Sequence, residues 1–221
     1  MEILQSSLDL LMHLDKYLFK LIMTYHNWVY LILFLVIFIE TGLVIMPLLP
    51  GDSLLFAAGT FCAGTIQQGV EAKLNLWFLL VLLIIAAISG DALNYYLGKK
   101  IGLKALKWKI RNRSLVKEKY LTQTHDFFDK HGAKAIVLAR FVPIVRTFAP
   151  FVAGISEMKY SKFLRYNVIG GSGWVLLLTL SGYFFGNLEI VKNNFEIVIF
   201  SIIIISLLPM AFAYLKQRFR K

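Results

Sequence analysis

The sequence predicts an all-α integral membrane protein. Its plan is an inverted repeat of amphipathic helix, re-entrant broken hairpin and transmembrane helix, closed by a C-terminal transmembrane helix. Three observations predict it. Long apolar runs recur at Trp28–Ile39, Leu74–Ile88, Asn167–Phe185 and Phe195–Tyr214. Basic residues crowd into a few flanks of those runs. Two apolar stretches are interrupted by proline and glycine, and both carry charge near the interruption.

Composition supports the membrane class. Of the 221 residues 58% are hydrophobic, and mean hydropathy is +0.67. A soluble domain of this length keeps a polar shell, and this chain has too little polar surface to make one. Several of the runs are long enough to cross a hydrocarbon core of about 30 Å as helices. The net charge of +11 suggests nucleic acid, but its placement argues otherwise: only Lys16, Lys20 and Lys73 are basic before residue 99. Most of the rest flank apolar spans, as cytoplasmic loops of membrane proteins do. Nucleic acid is therefore not an expected partner.

The elements follow in order. Leu4–Ile22 has leucines near helical spacing with charges between, which predicts an interfacial helix. Met1–Asp15 lacks a basic start and a small-residue cleavage site, so no removable signal peptide is expected. Trp28–Val70 is apolar and broken at Pro47, Pro50 and Gly51, which predicts a hairpin entered from outside. Leu74–Leu97 then crosses to the cytoplasm, because Lys99–Lys119 holds nine Lys/Arg and one acid. Ser114–Lys130 reads as a second surface helix. Ala133–Gly154 is apolar, contains Pro143 and Pro150, and is basic on both flanks, so it must enter and return on the cytoplasmic side. Tyr166–Gly186 crosses outward and Phe195–Tyr214 returns to a basic, cytoplasmic C-terminus.

One domain, 1–221, is expected: a first repeat at 1–98, a basic cytoplasmic loop and surface helix at 99–132, a second repeat at 133–188 and a final transmembrane helix at 195–215. Gly90-Asp91, Gly98 and Gly102 recur as Gly173-Trp174, Gly182 and Gly186. Inverted repeats of broken helices place a site where the breaks meet.

Four ionisable residues sit in these apolar stretches. Glu40 and Asp52 flank the first break; a carboxylate there costs roughly 3 kcal/mol on insertion scales unless it holds a proton or meets a cation or water. Proton coupling or headgroup contact follows, although Asp52 also suits the start of a helix. Arg140 and Arg146 flank Pro143. A guanidinium stays charged and forms forked hydrogen bonds to phosphate, so the second hairpin is a candidate anion site. Alternatively each arginine pairs with Glu40 or Asp52 to hold the hairpins together, or the pairs hold an empty site and exchange partners when an anion arrives. Asp91, Asn94 and Thr147 are accessory candidates. Gly90, Gly98 and Gly102 read as sites of close helix approach, and Trp28, Trp77 and Trp108 as interfacial anchors.

No metal site is expected: Cys62 stands alone and the four histidines lack ligand spacing. There is no phosphate-binding Walker loop and no Ser-His or HExxH arrangement, so neither direct ATP use nor hydrolysis is suggested, and the chain is not expected to be an enzyme or to need a cofactor.

The passages Glu40-Thr-Gly-Leu-Val, Pro47-Leu-Leu-Pro-Gly-Asp-Ser-Leu-Leu-Phe, Gly90-Asp-Ala-Leu-Asn-Tyr, and Ala139-Arg-Phe-Val-Pro-Ile-Val-Arg-Thr-Phe-Ala-Pro-Phe-Val-Ala-Gly154 resemble the DedA family of bacterial inner-membrane proteins. Tyr166-Asn-Val-Ile-Gly and Gly182-Tyr-Phe-Phe-Gly186 extend the likeness over nearly the whole chain. The resemblance implies two opposed re-entrant hairpins in the VTT-domain superfamily, a multi-pass place in the bacterial inner membrane, and lipid handling linked to proton-motive force. Some members of the family flip undecaprenyl phosphate, so it implies a flippase for proton-coupled movement of undecaprenyl phosphate or a related anionic lipid. The family's acidic pair matches Glu40 and Asp52 and its arginine pair matches Arg140 and Arg146. Membrane lipids and protons are the expected partners, and the plan is compatible with a homo-oligomer. The alternatives are a proton-coupled exchanger of small solutes or cations, and a non-transporting scaffold of membrane homeostasis.

Overall fold

The longest proline-free apolar runs become the two longest helices. The computed structural model describes residues 14–43, 51–67, 70–105, 109–110, 113–114, 132–156, 158–195, 197–202 and 204–205. The chain opens with α1 (Leu14–Tyr25) and α2 (Trp28–Gly42), joined at His26. After the break comes α3 (Gly51–Cys62). A two-stranded ribbon, β1 (Thr65–Gln67) with β2 (Val70–Ala72), leads into α4 (Leu76–Ala105). A second tiny ribbon, β3 (Lys109–Ile110) with β4 (Arg113–Ser114), follows. A 3-10 turn at Gly132–Lys134 then precedes α5 (Ala135–Ala139), α6 (Pro143–Ile155), α7 (Tyr160–Phe185) and α8 (Glu189–Asn193). Residues 197–202 and 204–205 are helical.

Among the described residues two helical segments are long and apolar enough to cross a membrane: Leu76–Lys100 and Tyr160–Phe185. At 1.5 Å per residue α4 and α7 reach about 45 and 39 Å. Asn75 starts α4, its Oδ1 accepting the Phe78 N–H at 3.0 Å. Both helices show large apolar side chains outward, among them Trp77, Phe78 and Val81 on α4 and Ile169, Leu177 and Phe184 on α7. Apolar surface of that extent suits hydrocarbon rather than water.

The other apolar helices are shorter. α2, α3 and α6 have 15, 12 and 13 residues, each under the ~20 needed to span alone. The break between α5 and α6 is written in the chain: Pro143 restricts the residue before it to extended backbone, and Val142 has φ −124° and ψ 104°. Pro143 then occupies the first turn of α6, where its missing N–H costs nothing. Pro150 lies inside α6. At the first break α2 ends on extended Leu43 and α3 begins at Gly51; Pro47 and Pro50 lie outside the described residues.

The all-helical expectation needs one adjustment. The arm expected to run to Val70 stops at Cys62, because Gly64 adopts a left-handed φ of 87° and turns the chain into the ribbon, with Thr65 opposite Ala72. The expected surface helix at Ser114–Lys130 lies outside the described residues except at Ser114, which is in β4. Of the expected interfacial helix Leu4–Ile22, the described part begins at Leu14. Only the first part of the expected span Phe195–Tyr214 is described.

The helices on either side of the two breaks divide between the two long helices. α2 packs on α4, α3 on α7, α5 on α7 and α6 on α4. Glycines let the backbones meet. A side chain at Gly98 would strike the Phe151 carbonyl, and one at Gly154 the Tyr95 carbonyl, so α4 and α6 touch reciprocally. Gly59 and Gly182 form the same kind of contact between α3 and α7. Gly173 differs: nothing lies within 4 Å of the position its Cβ would take. It therefore does not repeat the close approach that Gly90 makes to Thr41, although the two share a sequence motif. Gly154→Val should cost about 3 kcal/mol or more through overpacking, whereas Gly173→Ala should stabilise by up to about 1 kcal/mol through helix propensity; denaturant unfolding in detergent measures both.

Candidate functional site

The two breaks and the two long helices bring five charged side chains together. Glu40 stands near the end of α2, Asp52 in the first turn of α3, Asp91 in the middle of α4, Arg140 at the α5–α6 break and Arg146 in the first turns of α6. All are buried except Asp52, whose side chain is 18% exposed. An isolated ion in such surroundings costs several kcal/mol, so the chain must pair them.

Arg146 forks between the two carboxylates of the first hairpin. Its Nη2 donates to Glu40 Oε1 at 2.6 Å and its Nη1 to Asp52 Oδ1 at 2.6 Å. Arg140 instead donates from Nη2 to Asp91 Oδ2 and to Asn167 Oδ1, the latter at 2.7 Å. Asn167 donates in turn to the Ile88 carbonyl at 3.1 Å. Sequence reasoning set two carboxylates against two guanidiniums; the structure has three, with Glu40 and Asp52 both on Arg146 and Asp91 on Arg140.

Trp174 sits between the arginines. Its ring centroid is 5.0 Å from the Arg146 guanidinium carbon and 5.7 Å from that of Arg140, within cation–π range. Its Nε1 donates to Asp52 Oδ1 at 2.9 Å. Asp52 therefore lies within the first turn of α3 and binds side-chain donors rather than serving simply as a cap.

Backbone geometry makes room for this cluster. A side chain on Gly51 would run into the Glu40 carboxylate, and a Cβ on Gly171 would sit 3.1 Å from Arg140 Nη2. Asn94, also on α4, is buried and donates to the Thr41 carbonyl at 3.1 Å and the Thr147 carbonyl at 2.8 Å. One amide thus ties the residue after Glu40 to the residue after Arg146. The accessory candidates Asp91, Asn94 and Thr147 all belong to the cluster or its frame.

Two participants escaped the sequence reading. Asn167 is a lone amide in an apolar span, and intramembrane polar residues are the signal that marks it. Trp174 lies mid-span, away from the interfaces where tryptophan usually anchors.

The pairing is incomplete. Arg140 Nε and Nη1, Arg146 Nε and Glu40 Oε2 are buried without a hydrogen-bond partner among the described residues. A cavity of about 420 Å³ reaches the cluster: Asp52, Arg140 and Trp174 line it together with Phe141, Leu177 and Ile205. Among the described residues no group of three or more His, Cys, Asp or Glu could hold a metal ion.

Comparison with known proteins shows what the chain is similar to. A family model described as VTT domain matches residues 49–184. The chain is 48% identical over 209 residues to Protein DedA of Escherichia coli (strain K12), covering 95% of this chain and 92% of that one. It is 42% identical to an uncharacterized membrane protein of Mycobacterium leprae (strain TN), covering 79% and 74%. It is 33% identical to the inner membrane protein YqjA of Escherichia coli (strain K12), covering 71% and 67%. No solved structure matches.

The Asp91–Arg140 pair is directly testable. Asp91→Leu leaves a buried guanidinium with only an amide partner and should destabilise the protein by about 3–5 kcal/mol. The double variant Asp91→Leu/Arg140→Met should recover more than half of that loss in a double-mutant cycle read by denaturant unfolding in detergent.

Proposed function

The chain belongs to the DedA family of membrane proteins, and on that premise we propose that it moves an anionic lipid across the membrane with proton coupling, without covalent chemistry. The substrate class is a lipid phosphate such as undecaprenyl phosphate. The observation that carries this reading is the unspent hydrogen-bonding capacity of Arg140 and Arg146 inside a cluster that also holds Glu40, Asp52 and Asp91.

Charge balance supplies the mechanism. Three carboxylates face two guanidiniums, so the formal sum is one negative charge, which one proton neutralises. A phosphate entering on the arginines competes with the carboxylates that now hold them. Each displaced carboxylate must then take a proton or turn to water, because an unpaired carboxylate in this interior is costly. Anion entry and proton uptake thereby become one event. Arg140 and Arg146 bind the headgroup; Glu40 and Asp52 take and release the protons; Asp91, Asn94 and Thr147 hold the arginine-bearing hairpin in register.

The packing of arms on opposite long helices supports an inverted repeat. α2 on α4 and α3 on α7 has its counterpart in α5 on α7 and α6 on α4. Two re-entrant hairpins, Lys99–Lys119 and the C-terminus on the cytoplasmic side, and a multi-pass place in a bacterial inner membrane complete the proposed topology. Rocking of one half against the other would expose the cluster to each leaflet in turn.

A rival reading uses the same ion pairs: they lock the two hairpins in a scaffold that transports nothing. Purified protein in liposomes separates the two. Wild type should move a fluorescent lipid phosphate between leaflets, faster with an imposed proton gradient. Arg146→Lys keeps the charge but loses the fork, and should slow movement by about tenfold or more. Glu40→Gln should stay folded and lose the response to the gradient. Wild-type rates in Arg146→Lys would sink the mechanism, and unfolding of every charge variant would favour the lock.

A further inference from the structure

The cavity beside the cluster has two unlike ends. Its inner end is polar: Asp52, Arg140 and Trp174. Its outer end is hydrocarbon: Phe141 at the α5–α6 break, Leu177 on α7 and Ile205 on the last helical stretch. These three side chains are 48, 55 and 64% exposed, so this end opens on the same apolar exterior that would meet the bilayer.

Arg140, which lines the cavity, carries unfilled hydrogen-bonding capacity. Arg140 is 4% exposed, yet its Nε and Nη1 have no hydrogen-bond partner among the described residues. A buried charge with idle donors calls for an anionic acceptor. Of the three clustered carboxylates Asp52 is the most exposed, 18% against 1% for Glu40 and 4% for Asp91, and it alone of them lines the cavity. Arg140 and Asp52 line the cavity, and Arg146 and Glu40 do not.

We propose that this cavity is the lateral entry site for an anionic lipid: the headgroup rests on Arg140 and one hydrocarbon chain leaves between α7 and the last helical stretch, past Phe141, Leu177 and Ile205. The occupant is a lipid, because a free phosphate would gain nothing from walls of this kind. The volume, at ~30 Å³ per small group, admits on the order of a dozen groups. That fits a phosphate with the first few methylenes of one chain, the rest remaining in the bilayer. The proposal rests on the transport reading of the cluster and adds the route by which the substrate reaches it.

The test uses full-length protein in nanodiscs of zwitterionic lipid and hexadecyl phosphate carrying a diazirine near the head. Mass spectrometry maps the photo-crosslinks. Labelling should concentrate on Phe141, Leu177, Ile202 and Ile205. Leu177→Trp and Ile205→Trp, which fill the outer end from opposite walls, should each reduce it by about tenfold, the cost of excluding two methylenes. Ile205 is largely exposed, so its variant keeps the test open should Leu177→Trp fail to fold. Labelling spread evenly over lipid-facing residues such as Trp77 and Ile85, or undiminished in both variants, overturns the entry site. Movement of lipid by wild type in liposomes, at an equal rate in both variants, would also overturn it and leave the transport reading intact. Cavity labelling in a protein that moves no lipid would do the reverse.

Discussion

Arg146 bridging Glu40 and Asp52 is the contact on which the arrangement of the two hairpins depends. The three residues come from three helices, and none of their charges is tolerable alone at that depth. Breaking a buried pair by removing one partner costs about 3–5 kcal/mol, a large share of a typical folding free energy. Glu40 and Asp52 on α2 and α3 are therefore held by the guanidinium that α6 supplies. Arg140 repeats the logic one step over: it draws Asp91 from α4 and Asn167 from α7, so both long helices are tied to the same break. Trp174 fills the space between the arginines with a face that favours cations and an N–H that favours a carboxylate.

Around this charged centre the helices meet through glycine. Gly98 against Phe151 and Gly182 against Phe56 bring backbones into contact without intervening side chains. Apolar side chains gain little by leaving lipid for one another, so close backbone packing and interhelical hydrogen bonds must supply the association. Asn94 provides such bonds where they matter, to the carbonyls of Thr41 and Thr147. Polar cluster and glycine contacts thus do different work: the first selects which hairpins meet, the second sets how near the helices come.

Much of this was legible in the chain because charge and proline are conspicuous in apolar sequence. Arg140, Arg146, Glu40 and Asp52 announced themselves by being out of place, and Pro143 announced the break through its hold on Val142. Which carboxylate would meet which arginine was not legible. That choice depends on where α4 passes the second break, which places Asp91 rather than Glu40 or Asp52 beside Arg140. Asn167 and Trp174 were hidden for a different reason: an amide and an indole cost less to bury than an ion, so they stand out less from the apolar residues around them. Gly173 shows the converse, a sequence motif whose match to Gly90 does not survive into packing.

The crossed pairing of arms and long helices also has a consequence for biogenesis. Arg146 follows Glu40 by 106 residues, and Trp174 follows Asp52 by 122. While the ribosome has made only the first half, α3 has no α7 to lie on, and Glu40 and Asp52 have no cation in reach. Until Arg146 has been made, those carboxylates have only water or a proton to offset their charge.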